Sequence, residues 1–370
     1  MRVLFCTLPA TGHFFPLVPV ALAVRAAGHE VLFGSCGEAA AVARAGLPMA
    51  DLAPGTTLKT LFAEFHRRHE AVNQRIAAGD RSAELEGVHF GTFSDWLADA
   101  AVALAAEWRP DLVVYERMAP FGLLAATVLG VPAIRHDLGL CPGERAGQLR
   151  HLAPAIRRHG RTELADHGPW LDIAPPSLAR SARDGWLMRP LPYDDGGPLP
   201  EWSRRPARRA RIAITLGTIV PRMQGIGVVR HLLALAPETD ADFVLAMEPR
   251  DAEKLGPLPG NVRAGGWLPM SGLLAVCSAV IHHGGSGTMY AAIGAGVPQW
   301  VLPDGASDRH VNAEALAARG IGIADRISAT ALERLVTDRD LRAAAQEVRA
   351  ELASMPAPAE LVPRFAALVG

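Results

Sequence analysis

The chain has 370 residues, 49% of them hydrophobic, and a formal net charge of −1 at pH 7. This length accommodates two domains of ordinary size, and the balanced charge argues against a nucleic-acid-binding protein, which would carry a basic excess. The four cysteines lie far apart and form no Cys-x-x-Cys pair, so neither a zinc site nor a disulfide framework is expected. Prolines interrupt the apolar N-terminus well short of the ~20 residues that a membrane-spanning helix needs.

Short apolar runs alternate with helical patterns in the first half of the chain. Strands are predicted at residues 3–8, 30–33, 111–115 and 132–135, with helices at 15–27 and 119–129. This alternation is typical of a parallel sheet with helices on both faces. The first half is therefore predicted to be an α/β domain.

Between residues 58 and 107 the pattern is helical and includes four phenylalanines, Phe62, Phe65, Phe90 and Phe93. Most of these side chains are expected to pack the helices onto the sheet, because an apolar stripe at helical spacing usually faces the core. The alternative is that some of them line a hydrophobic ligand pocket. The pattern by itself fits both interpretations.

A break in the pattern follows, because residues 189–211 are rich in Pro, Gly, Asp and Arg. Prolines fit neither a helix interior nor a central strand, so this stretch is predicted to be a linker. A second series then begins, with strands predicted at residues 212–216, 243–246, around 262, 279–281 and 299–302, and a final helix at 357–369. Two such series indicate two domains of one architecture.

The most informative motif is a glycine-rich turn, His-His-Gly-Gly-Ser-Gly-Thr, at residues 282–288. It lies between an apolar run and a small-residue helical pattern, so the chain leaves a strand, turns and enters a helix. Such a turn offers backbone N–H groups and the hydroxyls of Ser286 and Thr288 at a helix N-terminus, where the dipole favours a phosphate. Gly285 and Gly287 let the backbone approach the anion because they have no Cβ.

Aromatic and polar residues flank this turn. Trp267 lies upstream, and Asp304, Asp308 and Arg309 lie downstream. An aromatic ring, a phosphate turn and a polar cluster at successive strand ends could hold a base, a diphosphate and a sugar. Alternatively, Trp267 could pack against the edge of a hydrophobic core. Asp304 could be a turn residue before Gly305, and Asp308 could be the N-cap of the next helix.

Residues 267–312 closely resemble the donor-binding region of inverting nucleotide-sugar glycosyltransferases of the GT-B fold, family 1-like. Within that superfamily the chain resembles bacterial natural-product glycosyltransferases that use dTDP-deoxysugars, and the resemblance covers nearly its whole length. It implies an α/β protein of two facing Rossmann-like domains with a cleft between them. The implied parts are an acceptor-binding domain at 1–195, a linker at 196–210, a nucleotide-sugar-binding domain at 211–355, and a C-terminal helix at 356–370 that returns to the first domain.

The resemblance also assigns donor contacts. Trp267 would stack on the nucleobase and Leu268 would offer it backbone hydrogen bonds, whereas His282 points to the opposite side and is expected to be structural. Many relatives have Gln where this chain has Arg309, which leaves the hexose open. The donor-binding residues implied are Thr218, Trp267, Leu268, His283, Gly285, Ser286, Gly287, Thr288, Asp304, Asp308 and Arg309.

The candidate catalytic residues are His13 and Glu116. His13 follows the first predicted strand, and in α/β sheets ligands bind at the carboxyl ends of strands. From position alone it could be a general base or could simply pack on the next helix; the resemblance implies the base that activates the acceptor. Glu116 ends another strand, where relatives usually carry Asp, and is predicted to orient His13. The longer Glu side chain must make that contact differently.

The resemblance therefore implies an inverting glycosyltransferase that moves a sugar, typically a deoxysugar, from a nucleoside diphosphate, expected to be dTDP, to a hydrophobic secondary metabolite such as an aromatic polyketide or macrolide. Phe62, Phe65, Phe90 and Phe93 are its candidate acceptor contacts. No Asp-x-Asp pair is placed to bridge a metal to a diphosphate, so no metal is expected, and no cofactor besides the nucleotide sugar. The expected location is the cytoplasm, with no nucleic-acid or membrane partner.

Two other classes remain open from sequence. One is another GT-B enzyme, such as an N-acetylglucosamine transferase of envelope synthesis or a nucleotide-sugar epimerase, and the epimerase would need cleft carboxylates instead of a base His. The other is a non-catalytic helper of a partner transferase, which should lack the donor residues that this chain keeps. The sequence leaves open the sugar, the acceptor, the type of glycosidic bond, a homodimer and an auxiliary activator.

Overall fold

A computed structural model describes residues 1–80, 82–141, 145–165, 168–179, 184–205, 207–218, 220–223, 225–303 and 307–370. The chain forms two compact units. The first comprises Met1–Ala174, Arg183–Pro190 and Pro356–Gly370, and the second comprises Pro175–Ala182 and Leu191–Met355.

The first unit is built on a seven-stranded sheet. Its strands are β1 (Arg2–Cys6), β2 (Glu30–Ser35), β3 (Met49–Asp51), β4 (Leu112–Glu116), β5 (Ala133–His136), β6 (Trp170–Asp172) and β7 (Trp186–Leu187). All neighbouring strands are parallel, in the order β3-β2-β1-β4-β5-β6-β7. Strand β4 is buried along its whole length, as expected when helices cover both faces of a sheet.

Helices connect these strands. They are α1 (Thr11–Phe14), α2 (Val18–Ala26), α3 (Leu58–Arg68), α4 (Glu70–Ala77), α5 (Ala83–Trp108), α6 (Phe121–Leu129) and α7 (Arg145–Arg158), with 3₁₀ helices at Phe15–Leu17 and Gly37–Ala45. The close packing of α6 on the sheet requires a glycine, because a Cβ at Gly122 would lie 2.7 Å from the Cβ atoms of Cys6 and Tyr115.

The second unit has a six-stranded parallel sheet. Its strands are β8 (Ala210–Thr215), β9 (Ala241–Leu245), β10 (Val262–Ala264), β11 (Ala279–His282), β12 (Gln299–Val301) and β13 (Gly322–Ile323), in the order β10-β9-β8-β11-β12-β13. A core of Ile, Leu, Val and Phe side chains with the fully buried Trp300 lies against this sheet.

Helices of the second unit follow the same alternation. They are α8 (Val220–Met223), α9 (Gly227–Leu235), α10 (Pro249–Glu253), α11 (Met270–Leu274), α12 (Ser286–Ala295), α13 (Ser307–Arg319), α14 (Ala329–Thr337) and α15 (Arg339–Ser354), with 3₁₀ helices at Pro176–Leu178, Glu201–Arg204 and Ala236–Glu238. The final helix, α16 (Pro358–Val369), belongs to the first unit, where it packs on α2 and its Phe365 ring stacks 6.4 Å from Trp186.

The two predicted parallel-sheet α/β domains are confirmed. Each predicted strand is present, although β1 ends at Cys6 instead of residue 8, where the chain turns toward α1. The sequence pattern did not predict β3, β6, β7, β13 or α7. The four missed strands have two or three residues, too few to show a period, and α7 is largely polar with a proline inside it.

Both sheets share the strand order of the Rossmann fold, in which the chain reverses direction across the sheet after its third strand. In the first unit this reversal places β1 beside β4, and in the second it places β8 beside β11. The crevice beyond the carboxyl ends of such a strand pair is where α/β proteins bind ligands. The fold therefore selects one position in each unit as a candidate site.

A cluster of aromatic and histidine rings joins α3 to α5 in the first unit. The Phe65 ring lies 4.4 Å from the His69 ring and 4.2 Å from the His89 ring, and Phe93 packs edge-on against Phe62 at 5.1 Å. The Nδ1–H of His89 donates to the Leu85 carbonyl oxygen at 2.8 Å. Burial lowers the pKa of His89 to about 4, so this ring is neutral at pH 7.

We predict that His89 makes the protein less stable in acid. Protonation favours the unfolded chain, where a histidine pKa is near 6.5, so stability is retained above pH 6.5 and falls as the pH drops toward 4. Replacement of His89 by Leu should reduce the loss between pH 7 and pH 5 by about 2 kcal/mol. Urea unfolding at both pH values measures the free energy of unfolding of each protein. An equal loss of this free energy in the variant and the wild type would contradict the prediction.

Candidate functional site

Two candidate catalytic residues meet at the switch point of the first unit. Strands β1 and β4 pair with Cys6 opposite Tyr115, so Glu116 ends β4 next to the loop that leaves β1. That loop leads into the short helix α1, which carries His13. The Nδ1 atom of His13 lies 2.9 Å from Oε1 of Glu116.

The hydrogen bonds around Glu116 fix the protonation of His13. The carboxylate is fully buried and accepts from the backbone N–H of Leu8 at 3.3 Å and of Met118 at 2.7 Å. An ionised carboxylate can only accept, so the Nδ1 of His13 must be the protonated nitrogen in this pair. In the neutral form of this ring Nε2 carries the lone pair, which is the arrangement that a general base requires.

Residues near this pair were missed by sequence reasoning. His136 ends β5 directly opposite Glu116 and is buried, and its Nδ1–H donates to the Asp137 carbonyl oxygen at 2.5 Å. Burial lowers the pKa of His136 to about 4. Arg117, also buried, lies 3.8 Å from the carboxylate of Glu86 on α5. The signal that could have found them is their position at adjacent strand ends.

The four phenylalanines predicted to contact an acceptor do not share one environment. Phe90 is half-buried, and its ring lies 5.5 Å from the ring of His13. Phe62 is also half-buried, whereas Phe65 and Phe93 have no exposed surface. The structure therefore brings Phe90 next to His13 and places Phe65 and Phe93 inside the aromatic cluster.

The glycine-rich turn lies at the switch point of the second unit. Strands β8 and β11 pair with Thr215 opposite His282, so residues 217–218 and 283–288 leave neighbouring strand ends. Thr218 is half-buried, and the N–H of Gly217 donates to the Thr215 hydroxyl at 3.2 Å. The structure thus places Thr218 and the glycine-rich turn, both predicted to bind the donor, at neighbouring strand ends.

His282 is a structural residue of this turn. Its Nδ1 lies 3.1 Å from the N–H of Gly284, which can only donate, so Nδ1 must accept. The proton is then on Nε2, which donates to Oε1 of Gln299 at 3.0 Å. Burial lowers the pKa of His282 to about 4, so the ring is neutral and both nitrogens are used.

His283 occupies a space that two glycines leave open. A Cβ at Gly217 would lie 2.7 Å from the imidazole Cε1, and a Cβ at Gly285 would lie 2.5 Å from Nε2. Burial, together with neighbouring His282 and Arg309, lowers the pKa of His283 to about 3, and a hydrogen bond to the Thr215 backbone opposes them. The ring is therefore neutral at pH 7.

Helix α12 begins immediately after the turn. Gly285 is its N-cap, Ser286 and Thr288 are half-buried, and Gly287 is exposed in its first turn. Its N-cap is a glycine, which has no side chain to accept from the first N–H groups of the helix, so these groups and the helix dipole can face an anion. The structure confirms the strand–turn–helix context on which phosphate binding was predicted.

The residues predicted to hold a base differ in exposure. Trp267 is 49% exposed, the most exposed of the large hydrophobic side chains in the described chain, which a stacking platform requires. The Leu268 side chain is buried in a core cluster with Ala213, Val244 and Leu274. Leu268 thus anchors the loop that presents Trp267.

The residues predicted to contact a sugar are described only in part. Asp304 lies outside the described residues. Asp308 and Arg309 lie in the first turn of α13 and are half-buried. A Cβ at Gly284 would lie 3.0 Å from the Arg309 carbonyl oxygen, so the start of α13 lies against the glycine-rich turn.

Two kinds of feature are absent from the described part of the chain. No group of three or more His, Cys, Asp or Glu side chains in this part of the chain could hold a metal ion. No helix there is long and apolar enough to cross a bilayer.

The two parallel-sheet α/β domains, each with polar groups at its switch point, match solved structures of GT-B glycosyltransferases. The structure is similar to that of the glycosyltransferase SnogD from Streptomyces nogalater, with a TM-score of 0.86 and 38% sequence identity. The match covers 100% of this chain and 99% of SnogD. SsfS6 from Streptomyces sp. SF2575, solved with thymidine diphosphate, gives a TM-score of 0.84 and 29% identity over 99% of both chains.

Sequence comparison defines the family. The models of the Erythromycin biosynthesis protein CIII-like family match residues 22–217 as the N-terminal domain and residues 230–368 as the C-terminal domain. The elloramycin glycosyltransferase ElmGT of Streptomyces olivaceus is 38% identical over 99% of this chain and 97% of its own. The chain therefore belongs to this family and is a bacterial natural-product glycosyltransferase.

We predict that Gly285→Ala displaces the His283 ring, because the new Cβ would lie 2.5 Å from Nε2. Once displaced, His283 should titrate nearer the ordinary histidine pKa of about 6.5. NMR titration of the imidazole from pH 7.5 to 4.5 measures this shift. Gly287→Ala is the control, since a Cβ there meets nothing within 4 Å. An unchanged His283 titration in Gly285→Ala would show that the ring is not confined by this glycine.

Proposed function

We propose that this protein transfers a deoxysugar from a dTDP-linked donor to a hydrophobic natural-product acceptor, with inversion at the anomeric carbon. Relatives named elloramycin glycosyltransferase and L-demethylnoviosyl transferase support the type of acceptor and donor. Two similar structures were solved with thymidine diphosphate or dTDP, which supports the nucleotide. The proposed location is the cytoplasm, which is supported by four free cysteines.

The observation that carries this proposal is the hydrogen bond between His13 Nδ1 and Glu116 Oε1. It leaves Nε2 able to take the proton from an acceptor hydroxyl as the oxygen attacks the anomeric carbon. Glu116 would stabilise the imidazolium that forms, because its carboxylate is held by two backbone N–H groups and cannot turn away. Attack opposite the leaving diphosphate inverts the configuration.

The leaving diphosphate would be held by the turn at the start of α12. Its negative charge grows as the sugar bond breaks, and the helix dipole, the backbone N–H groups and the hydroxyls of Ser286 and Thr288 would stabilise that charge. His283 would take part as a neutral hydrogen-bonding group. We propose that these groups replace a divalent metal.

The acceptor would lie against the half-buried rings of Phe62 and Phe90. Phe90 is the better placed, because its ring is 5.5 Å from His13. Phe65 and Phe93 would support these two rings from within the cluster instead of touching the acceptor. A flat aromatic aglycone offers a large apolar surface that could pack against these two rings.

We predict that His13→Ala lowers the single-turnover rate by about 10²–10⁴-fold while dTDP affinity is kept, since His13 belongs to the unit that does not bind the nucleotide. Glu116→Gln should lose less, because it removes charge and orientation only. The control is His159→Ala, which breaks a similar but exposed pair with Asp99 at 2.8 Å and should leave the rate unchanged.

The same single-turnover assay tests whether catalysis requires a divalent metal. Excess EDTA should leave the wild-type rate unchanged, and inactivation that magnesium reverses would contradict metal independence.

A single-turnover rate of His13→Ala close to that of the wild type would show that His13 is not the general base.

We predict that Trp267→Ala weakens dTDP binding by about 5- to 150-fold, because stacking on a base contributes about 1–3 kcal/mol. Trp267→Phe should retain most of the affinity, since it keeps an aromatic face. Calorimetry with dTDP measures both variants. Unchanged affinity in a folded Trp267→Ala protein would place the base elsewhere.

A further inference from the structure

Asn312 connects α13 to the glycine-rich turn through its side-chain amide. It has no exposed surface, and its Nδ2 donates to the Gly284 carbonyl oxygen at 2.8 Å and to the Ser286 hydroxyl oxygen at 3.2 Å. One side chain of α13 therefore holds both the middle of the turn and the first residue of α12.

Gly284 is held from both sides as a result. Its N–H donates to His282 and its carbonyl accepts from Asn312. Its φ of +93° is one that residues with a side chain rarely adopt, and because glycine has no Cβ to restrict its backbone, these two bonds hold the chain in this direction. This direction decides where the N–H groups of the next residues point.

The second bond of Asn312 determines what Ser286 can do. An amide N–H only donates, so the Ser286 hydroxyl must act as the acceptor in this contact. Its own hydrogen is then directed elsewhere. At the N-terminus of α12 that leaves the hydroxyl as a donor, which is the role that an anionic ligand needs.

Stability alone does not explain the amide of Asn312. Its Oδ1 is buried and has no hydrogen-bond donor among the residues that the structure describes. An unsatisfied buried acceptor lowers stability, and such a group calls for another explanation. A requirement to orient the turn supplies one.

We propose that Asn312 is a positioning residue for the donor diphosphate: it fixes the Gly284 peptide and turns the Ser286 hydroxyl toward the phosphates. This inference rests on the proposed function, because it takes the diphosphate as the ligand of the turn. Asn312 acts through the turn and does not itself touch the nucleoside. Its loss should therefore weaken ligands that contain phosphate and spare the nucleoside alone.

The test compares dTDP with thymidine as ligands of Asn312→Ala, by calorimetry and ligand-observed NMR. We expect dTDP to bind about 10-fold more weakly, the value of one or two hydrogen bonds, and thymidine to bind within about twofold of wild type. Asn261→Ala is the matched control, because the Asn261 amide also donates to backbone carbonyls of this unit, at Ala236 and Ala241. That variant should lose stability without selective loss of dTDP.

Equal weakening of dTDP and thymidine, or no weakening, would overturn the positioning role. If Asn312→Ala does not fold, the similarly sized and uncharged Asn312→Leu, which lacks the two N–H donors, should give the same selective loss. Ser286→Ala should also weaken dTDP less in an Asn312 variant than in the wild type, and additive effects would overturn coupling through Ser286. A wild-type protein that binds thymidine but not dTDP would refute the proposed function itself.

Discussion

The reversal of strand order in each sheet is the constraint on which both candidate sites depend. Parallel strands send all their carboxyl ends to one edge, and only where the order reverses do two connections leave in opposite directions and open a crevice. In the first unit that point lies between β1 and β4, and in the second between β8 and β11. His13 and Glu116 occupy the first position, and the turn at residues 283–288 occupies the second.

The two sites use this position with opposite electrostatics. In the first unit a buried carboxylate, Glu116, is stabilised by two backbone N–H groups and paired with His13. In the second, burial keeps His282 and His283 neutral, so backbone N–H groups and a helix dipole remain to attract an anion. One arrangement suits proton removal, and the other suits a leaving group that gains negative charge.

Neutral buried side chains also give the second site its shape. His282 accepts from the N–H of Gly284 and Asn312 donates to its carbonyl oxygen, and glycines at 217 and 285 leave the space that His283 fills. Each contact is short-range and directional, so the turn is ordered without any charged side chain in these contacts. Preorganised dipoles of this kind need little rearrangement when charge develops, which is the basis of electrostatic catalysis.

The sequence by itself determined the elements that repeat and the motifs that are contiguous. Alternating apolar and helical patterns specified the long strands and two α/β domains, and the glycine-rich turn with its flanking strand and helix was legible because its chemistry is local. Only the tertiary structure decided the contacts between distant residues: the pairing of His13 with Glu116, the burial of Phe65 and Phe93 beside a half-exposed Phe90, and the bonds of Asn312 to a turn 26 to 28 residues away. The physical reason is that residue patterns record which face of an element is buried, whereas hydrogen bonds between elements depend on strand order and register, which only the packed chain fixes.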